Sequence, residues 1–260
     1  VKAEARRQAI MEFLMEAGSA SVDEIAELFA VSKMTVHRDL DQLETESLLR
    51  KVRGGATVQS SSQFESDFVY RARLATDEKR AIAQAAAEHV EPGQSIILDD
   101  GSTIAEMARF LLERRPLTLI TNNANVMSTM MGIQGLKLIS LGGDYNKRFH
   151  GFFGLLTEQA LDSIRADQAF ISTSSVSDGT AFHQDQEIVK TKRAIIAAAD
   201  TRHLLVDHTK FDKTALHALT GLGEFARVIT GAAISDRARS GIEEAGAVLE
   251  IARGQAETPL

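Results

Sequence analysis

The chain has 260 residues, 44% of them apolar, enough for more than one hydrophobic core, which excludes a disulfide-stapled miniprotein or a disordered tail. Lys and Arg number 29 against 36 Asp and Glu, a net charge of -7, so no global basicity points to nucleic acid. Cysteine is absent, which removes disulfides, thiolate nucleophiles, Cys-ligated zinc and iron–sulfur clusters and fits a reducing compartment.

The first residues lead into an amphipathic segment rather than an uninterrupted apolar one, so no signal peptide is read there. Ile10, Phe13 and Leu14 form one apolar face, Val22, Ile25 and Leu28 a second, and Val36, Leu40 and Leu43 a third, all at helical spacing. Three short helices sharing one core are predicted. Only Ala30-Val31-Ser32 separates the second from the third, with Ser32 placed to cap the third, so the pair turns sharply as a helix-turn-helix does. With its apolar face inward, the third helix turns Lys33, Thr35, His37, Arg38 and Asp41 to solvent. Its donors gather at the end that a recognition helix puts into the major groove. Leu48 to Val58 then reads as two short strands around Gly54-Gly55, a wing with Arg50, Lys51 and Arg53 available to phosphate oxygens.

Residues 1–58 hold eight Lys or Arg against ten Asp or Glu, so charge alone does not select DNA. The acids, however, fall on the first two helices and the back of the third (Asp39, Glu44, Glu46), and the cations on Lys33, Arg38 and the wing. A dimerisation or protein-binding module is the alternative, and it leaves the turn spacing and the cationic wing unexplained. The run from Val31 to Glu44, followed by Arg53-Gly54-Gly55-Ala56, resembles the DNA-binding signature of the DeoR-type bacterial repressors of sugar metabolism. His37 stands where that family usually has an arginine, Arg53 where it usually has a histidine, and Ser47 where glycine is common. The expected DNA-contacting set is Ser32, Lys33, Thr35, His37, Arg38, Arg50, Lys51 and Arg53.

The polar run Gln59 to Gln63 interrupts all pattern. A linker is placed over residues 59–75, between a first domain at 1–58 and a second at 76–253, with a disordered tail at 254–260. From Thr76 an Ala-rich helix to about Val90 precedes short apolar runs alternating with amphipathic helices, the pattern of an open, mostly parallel α/β sheet. Strands are predicted at Ile96–Asp99, Leu117–Thr121, Lys137–Leu141, Gln168–Ser172, His203–Asp207, Val228–Thr230 and Val248–Ile251. Helices are predicted at Thr103–Leu112, Ala124–Met131, Leu156–Arg165, Gln186–Ala199 and Asp236–Ala245. The most apolar stretches, such as Ser95–Leu98 and Arg202–Val206, fall well short of the roughly 20 residues of a membrane-spanning helix, and a cytoplasmic protein is expected.

In this second half Ile96 to Thr103 runs from a strand straight into a helix. Backbone N–H groups, the Ser102 and Thr103 hydroxyls and the positive end of the helix dipole then converge on a spot that suits phosphate. Gly101-Ser102-Thr103 is equally a plain turn and cap. What favours a site is the company at other strand ends: Thr121-Asn122-Asn123, Gly142-Gly143-Asp144, Ser172-Thr173-Ser174 and Asp207-His208-Thr209-Lys210. Ligands of open α/β sheets lie beyond that carboxyl edge. Lys210 offers charge to phosphate, Asn122 and Asn123 offer hydrogen bonds to sugar hydroxyls, and Gly142 and Gly143 allow close backbone approach.

This half also resembles the DeoR-type family, through Asp99–Thr103, Thr121–Asn123, Leu141–Gly143, Asp167–Phe170, Glu187 with Lys190, and Asp207–Phe211. The effector domains of that family look like ribose-5-phosphate isomerase and are taken to sense phosphorylated sugars. The resemblance implies phosphate at Asp99–Thr103 and Lys210, with the sugar near Asn122, Glu187 and Lys190. Two departures stand out: Ser172 to Ser177 replaces glycines common in the family, and Gly231 stands where an Asp commonly follows Val-Ile-Thr. The expected effector-binding set is Asp99, Asp100, Gly101, Ser102, Thr103, Thr121, Asn122, Asn123, Gly142, Gly143, Ser172, Glu187, Lys190 and Lys210.

Of the seven histidines, His150, His183, His203, His208 and His217 show no metal-ligand spacing, so no metal site is expected, nor is a cofactor; His150 and His183 lie in loops within reach of the pocket and are read as solvated in preference to ligand-binding. The run Lys190-Thr191-Lys192-Arg193 is read as a partly solvated helix face. Two functions follow. The first is a repressor of a carbohydrate catabolic operon that binds double-stranded operator DNA as a homodimer or homotetramer and is modulated by a phosphorylated sugar effector. The second is a phosphosugar isomerase-like enzyme with an accessory winged-helix domain, using Glu187 as base and Lys210 as clamp. A lone carboxylate without a preorganised acid or cation set weighs against the enzyme, and no catalytic residue is assigned.

Overall fold

The helix-turn-helix begins with a capping box: the Ser21 backbone N–H donates to the Glu24 carboxylate at 2.7 Å, and the Glu24 N–H donates to Ser21 Oγ at 3.1 Å. The computed structural model describes residues 3–45, 48–58 and 68–253, and the chain divides into two units, Val1–Arg73 and Leu74–Leu260. The first unit contains α1 (Ala3–Ala17), β1 (Ser19–Ser21), α2 (Val22–Leu28), α3 (Lys33–Thr45), β2 (Arg50–Val52), β3 (Gly55–Thr57) and α4 (Phe68–Arg73). Ile10 and Leu14 of α1, Val22 and Ile25 of α2, and Val36, Leu40 and Leu43 of α3 are all buried, as their spacing requires.

The wing is a three-stranded antiparallel sheet in the order β1-β3-β2, one strand more than predicted. One expectation is corrected here. Leu28, read as inward-facing, is 56% exposed, because α2 is only seven residues long and Phe29 just beyond it packs edge-on against Phe13 instead. Asp39, read only as an acid on the back of α3, is buried there and takes a hydrogen bond from Arg6 Nε at 2.6 Å. Of the predicted linker, residues 59–67 lie outside the described residues and residues 68–73 form α4; Glu46, Ser47 and the tail 254–260 also lie outside them.

In the second unit the order is α5 (Thr76–Glu88), β4 (Ser95–Leu98), α6 (Ser102–Phe110), β5 (Leu117–Thr121), α7 (Ala124–Met130), β6 (Leu136–Ser140), β7 (Asp144–Asn146), β8 (Gly151–Phe153), α8 (Leu155–Asp162), β9 (Ala166–Ile171), β10 (Ser175–Ser177), β11 (Thr180–His183), α9 (Gln186–Ala197), β12 (Ala199–Leu205), β13 (His217–Gly221), β14 (Arg227–Thr230), α10 (Asp236–Glu244) and β15 (Val248–Ile251). The seven predicted strands form one sheet, ordered β15-β14-β12-β9-β4-β5-β6, with every neighbouring pair parallel. Successive side chains of β4 leave opposite faces. Ile96 and Leu98 pack with Ile82 of α5, Ile104 of α6 and Val126 of α7, whereas Ile97 packs with Val189 and Ile195 of α9. The sheet is therefore covered on both faces, as a parallel sheet must be.

Two antiparallel additions lie outside the predicted elements. The β7–β8 hairpin follows β6 and is held to the end of β5, where the Phe152 N–H donates to the Asn122 carbonyl at 2.8 Å and Asn122 Nδ2 donates to the Phe152 carbonyl at 3.0 Å. The sheet β10-β11-β13 carries His183, which is buried on a strand rather than solvated in a loop. Its Nδ1 accepts the Asp185 N–H at 3.2 Å. Among the described residues no helix is long and apolar enough to cross a membrane.

Candidate functional site

On the first unit, Ser32 caps α3 by accepting the Thr35 N–H at 3.2 Å, and its hydroxyl lies 2.9 Å from that of Thr35. Lys33 reaches Asp23 at 2.7 Å, and Lys51 is ion-paired with Asp41. The side chains of His37, Arg38, Arg50 and Arg53 are exposed and make no hydrogen bond or ion pair with the other described residues. The outward face of the recognition helix and the wing thus present three guanidinium groups and an imidazole that pair with no side chain among the described residues, an arrangement suited to a DNA-binding face despite an acidic domain.

On the second unit, the chain runs from β4 outward through β5 and β6, then crosses back to lay β9 on the other side of β4. That reversal opens the crevice at which ligands of such sheets bind, between the carboxyl ends of β4 and β9. Asp99 follows Ile97 by two positions and so faces α9, where Lys192 meets it. Lys192 Nζ lies 2.5 Å from Asp99 and 2.8 Å from Asp100, with all three side chains at most 1% exposed. Asp99 also accepts the Ser172 N–H at 2.7 Å and the Gly101 N–H at 2.8 Å. Gly101 has to be glycine, since a Cβ there would stand 2.2 Å from Ser172 Oγ.

Burial, reinforced by the neighbouring Asp100 charge, pushes the Asp99 carboxyl above the usual carboxylate range although Lys192 and the Ser172 N–H pull the other way. Burial likewise works against the Lys192 ammonium, but the two carboxylates outweigh it and hold the amine protonated. The cluster carries one more carboxyl than ammonium.

The strand-end residues divide by what their polar atoms already do. Thr121 donates to the Leu98 carbonyl at 2.7 Å and accepts the Asn123 N–H at 3.0 Å. Asn123 caps α7 and donates to the Asp99 carbonyl at 3.0 Å. With Asp99 they hold the 99–101 turn in place, so these three brace the site. Ser102 and Thr103 are buried at the N-terminus of α6, and Asn122 keeps a buried Oδ1 that makes no hydrogen bond. Lys210 is buried after β12, in a 3-10 turn that Asp207 caps. Gly142 and Gly143 carry the chain at positive φ, 64° and 110°, from β6 into the β7–β8 hairpin. Glu187 and Lys190 are exposed and line a cavity of about 470 Å³ with Gly154, Leu155, Glu158 and Gln186, to which none of the other expected effector residues contributes.

The run Lys190–Arg193 is a partly solvated face: Lys190 and Arg193 are exposed, whereas Thr191 and Lys192 are buried. A signal for Lys192 was present: Ile188, Lys192 and Ile195 recur at helical spacing, which puts the lysine on the apolar stripe of α9. Among the described residues no group of three or more metal-ligating side chains comes together.

A winged helix-turn-helix with exposed cations, joined in one chain to a doubly wound sheet with a polar switch point, defines a DNA-binding regulator with a sensing domain. Residues 6–62 match the DeoR-like helix-turn-helix domain and residues 74–232 the DeoR C terminal sensor domain. The chain belongs to the DeoR family of transcription regulators, which are not enzymes. It is 33% identical to the glycerol-3-phosphate regulon repressor of Escherichia coli (strain K12), over 87% of this chain and 90% of that one. It is 28% identical to the L-fucose operon activator of Haemophilus influenzae, over 92% of this chain and 96% of that one. Among solved structures, ribose 5-phosphate isomerase A from Methanocaldococcus jannaschii matches 52% of this chain and 54% of its own at 22% identity and a TM-score of 0.39, too loose a likeness to assign a function.

Proposed function

We propose that the chain represses a carbohydrate catabolic operon as a homodimer or homotetramer in the cytoplasm, and that a phosphorylated sugar or sugar derivative bound in its C-terminal domain sets its affinity for operator DNA. The observation that carries this reading is the β4/β9 switch point, where α6 begins with the buried Ser102 and Thr103 at the carboxyl edge of the sheet; its N-terminus and those two hydroxyls are the proposed phosphate cradle. Asp99 and Asp100 would repel a phosphate there. Lys192, ion-paired with both, offsets one of their charges. Lys210 supplies the positive charge on the phosphate, and Asn122 Oδ1 accepts from a sugar hydroxyl.

Two-fold operators call for paired recognition helices, hence the oligomer. The effector changes DNA affinity only by as much as it binds the two arrangements of the chain differently. Repression is the sign supported by the name of the glycerol-3-phosphate relative.

The test is a thermal-shift screen of the full chain against sugar and polyol phosphates, each beside its unphosphorylated parent, followed by operator titration with any compound that binds. A phosphorylated compound is expected to raise Tm and to change operator Kd while its parent does neither. Equal shifts from parent and phosphate, or none from any phosphate, would overturn the reading.

A further inference from the structure

Met34 is 65% exposed in the first turn of α3, two residues after the Ser32 cap. An exposed methionine alone carries nothing, since single apolar side chains on surfaces are ordinary. What singles this one out is its setting. Met34, His37, Arg38 and Asp41 recur at helical spacing on the face opposite the buried Val36, Leu40 and Leu43. The chain neighbours of Met34 are tied to their own domain, Lys33 to Asp23 and Thr35 to Ser32, and Asp41 is tied to Lys51. The part of the stripe whose side chains have no bond among the described residues is Met34, His37 and Arg38, at the end of the helix that a recognition helix puts into the major groove.

The major groove offers donors, acceptors and one apolar group, the 5-methyl of thymine. His37 and Arg38 address the acceptors. A long, unbranched and polarisable thioether one turn before them matches the methyl and cannot use the acceptors. We infer that Met34 is a specificity-determining residue that reads a thymine 5-methyl group in each operator half-site. The inference rests on the DNA-binding role of α3.

The full chain is first used to select a duplex from a randomised pool. Each thymidine of the selected site is then replaced singly by deoxyuridine, which removes only the methyl, and Kd is read by fluorescence anisotropy at one fixed salt concentration. One thymidine per half-site is expected to lose about fourfold in affinity, the effect of one methyl-sized burial. In Met34→Ala that deoxyuridine penalty is expected to vanish, and in Met34→Leu to persist; Arg38→Ala is expected to weaken binding while leaving the penalty in place. Alanine is a good helix former, so Met34→Ala keeps α3 intact. A penalty retained in Met34→Ala, or the absence of any methyl-sensitive thymidine, overturns the inference while leaving DNA binding standing. Failure to enrich any duplex overturns both.

Discussion

Lys192 and Asp99 come from helix α9 and the end of strand β4 and meet at 2.5 Å, sealed from solvent. Breaking a buried ion pair by removing one partner leaves the other charge uncompensated, which costs about 3–5 kcal/mol. Lys192→Met is expected to lose that much stability, read as a lower denaturant midpoint at unchanged slope. Adding Asp100→Asn should recover part of the loss by removing one of the stranded carboxyls. Lys192→Met as stable as the parent chain would show that the cluster does not hold α9 to the sheet.

Gly231, which departs from the aspartate common in the family, is explained by Glu78: a Cβ at position 231 would stand 2.2 Å from Glu78 Oε1. That carboxylate also accepts the His208 N–H at 2.9 Å, so it is not free to swing away without loss. Gly231→Asp is expected to cost about 1–3 kcal/mol by overpacking, with charge repulsion added. In a Glu78→Ala background the same substitution should cost less than half as much. Equal costs in the two backgrounds, measured by urea unfolding, would refute the steric account.

The seven strands of the main sheet were legible because a strand buried on both faces is a short apolar run such as Ile96-Ile97-Leu98, and the helices between them kept their spacing. The short strands Ser19–Ser21, Asp144–Asn146 and Ser175–Ser177 were not. They have three residues each and no apolar alternation, and they exist because a tertiary partner offers them hydrogen bonds. The candidate site was legible as a set of strand ends but not in its division of labour. Whether Asp99 or Thr121 faces a ligand or a neighbouring backbone depends on packing that adjacent residue types do not record. Lys192 was hidden by its neighbours Lys190 and Arg193, although its spacing from Ile188 and Ile195 placed it inward.

His203 lies between the rings of Phe170 and His89, with centroids 4.9 Å and 5.5 Å away. Gln168 Nε2 donates to the His89 carbonyl at 2.8 Å and to Gln94 at 2.7 Å. Its Oε1 is therefore the acceptor 2.9 Å from His203 Nε2, which must carry the hydrogen. Burial, with His89 and Arg227 adding repulsion, lowers the His203 pKa from 6.5 to about 4. Between those values the unfolded chain binds a proton that the native chain refuses, so the stability from neutral His203 is complete above pH 6.5 and is lost as pH falls toward 4. The loss approaches about 3 kcal/mol. Unfolding free energies of the parent and His203→Gln, measured from pH 7 to 4.5, should converge as pH falls. Parallel curves would rule out His203 as the source.

Lys51 is held by Asp41, whereas the Arg53 side chain on the same wing has no partner among the described residues. Each phosphate contact contributes about 0.9 to the slope of log affinity against log salt. Arg53→Ala and Arg50→Ala are each expected to flatten that slope by about one per subunit and to weaken all sequences alike. Arg38→Ala should instead relax preference at one base pair, by about 1–3 kcal/mol, with little change in slope. Asp41→Ala releases Lys51 to the phosphates and should tighten binding while steepening the slope. If Asp41→Ala leaves both affinity and salt dependence unchanged, the Lys51–Asp41 pair is not what withholds this cation from DNA.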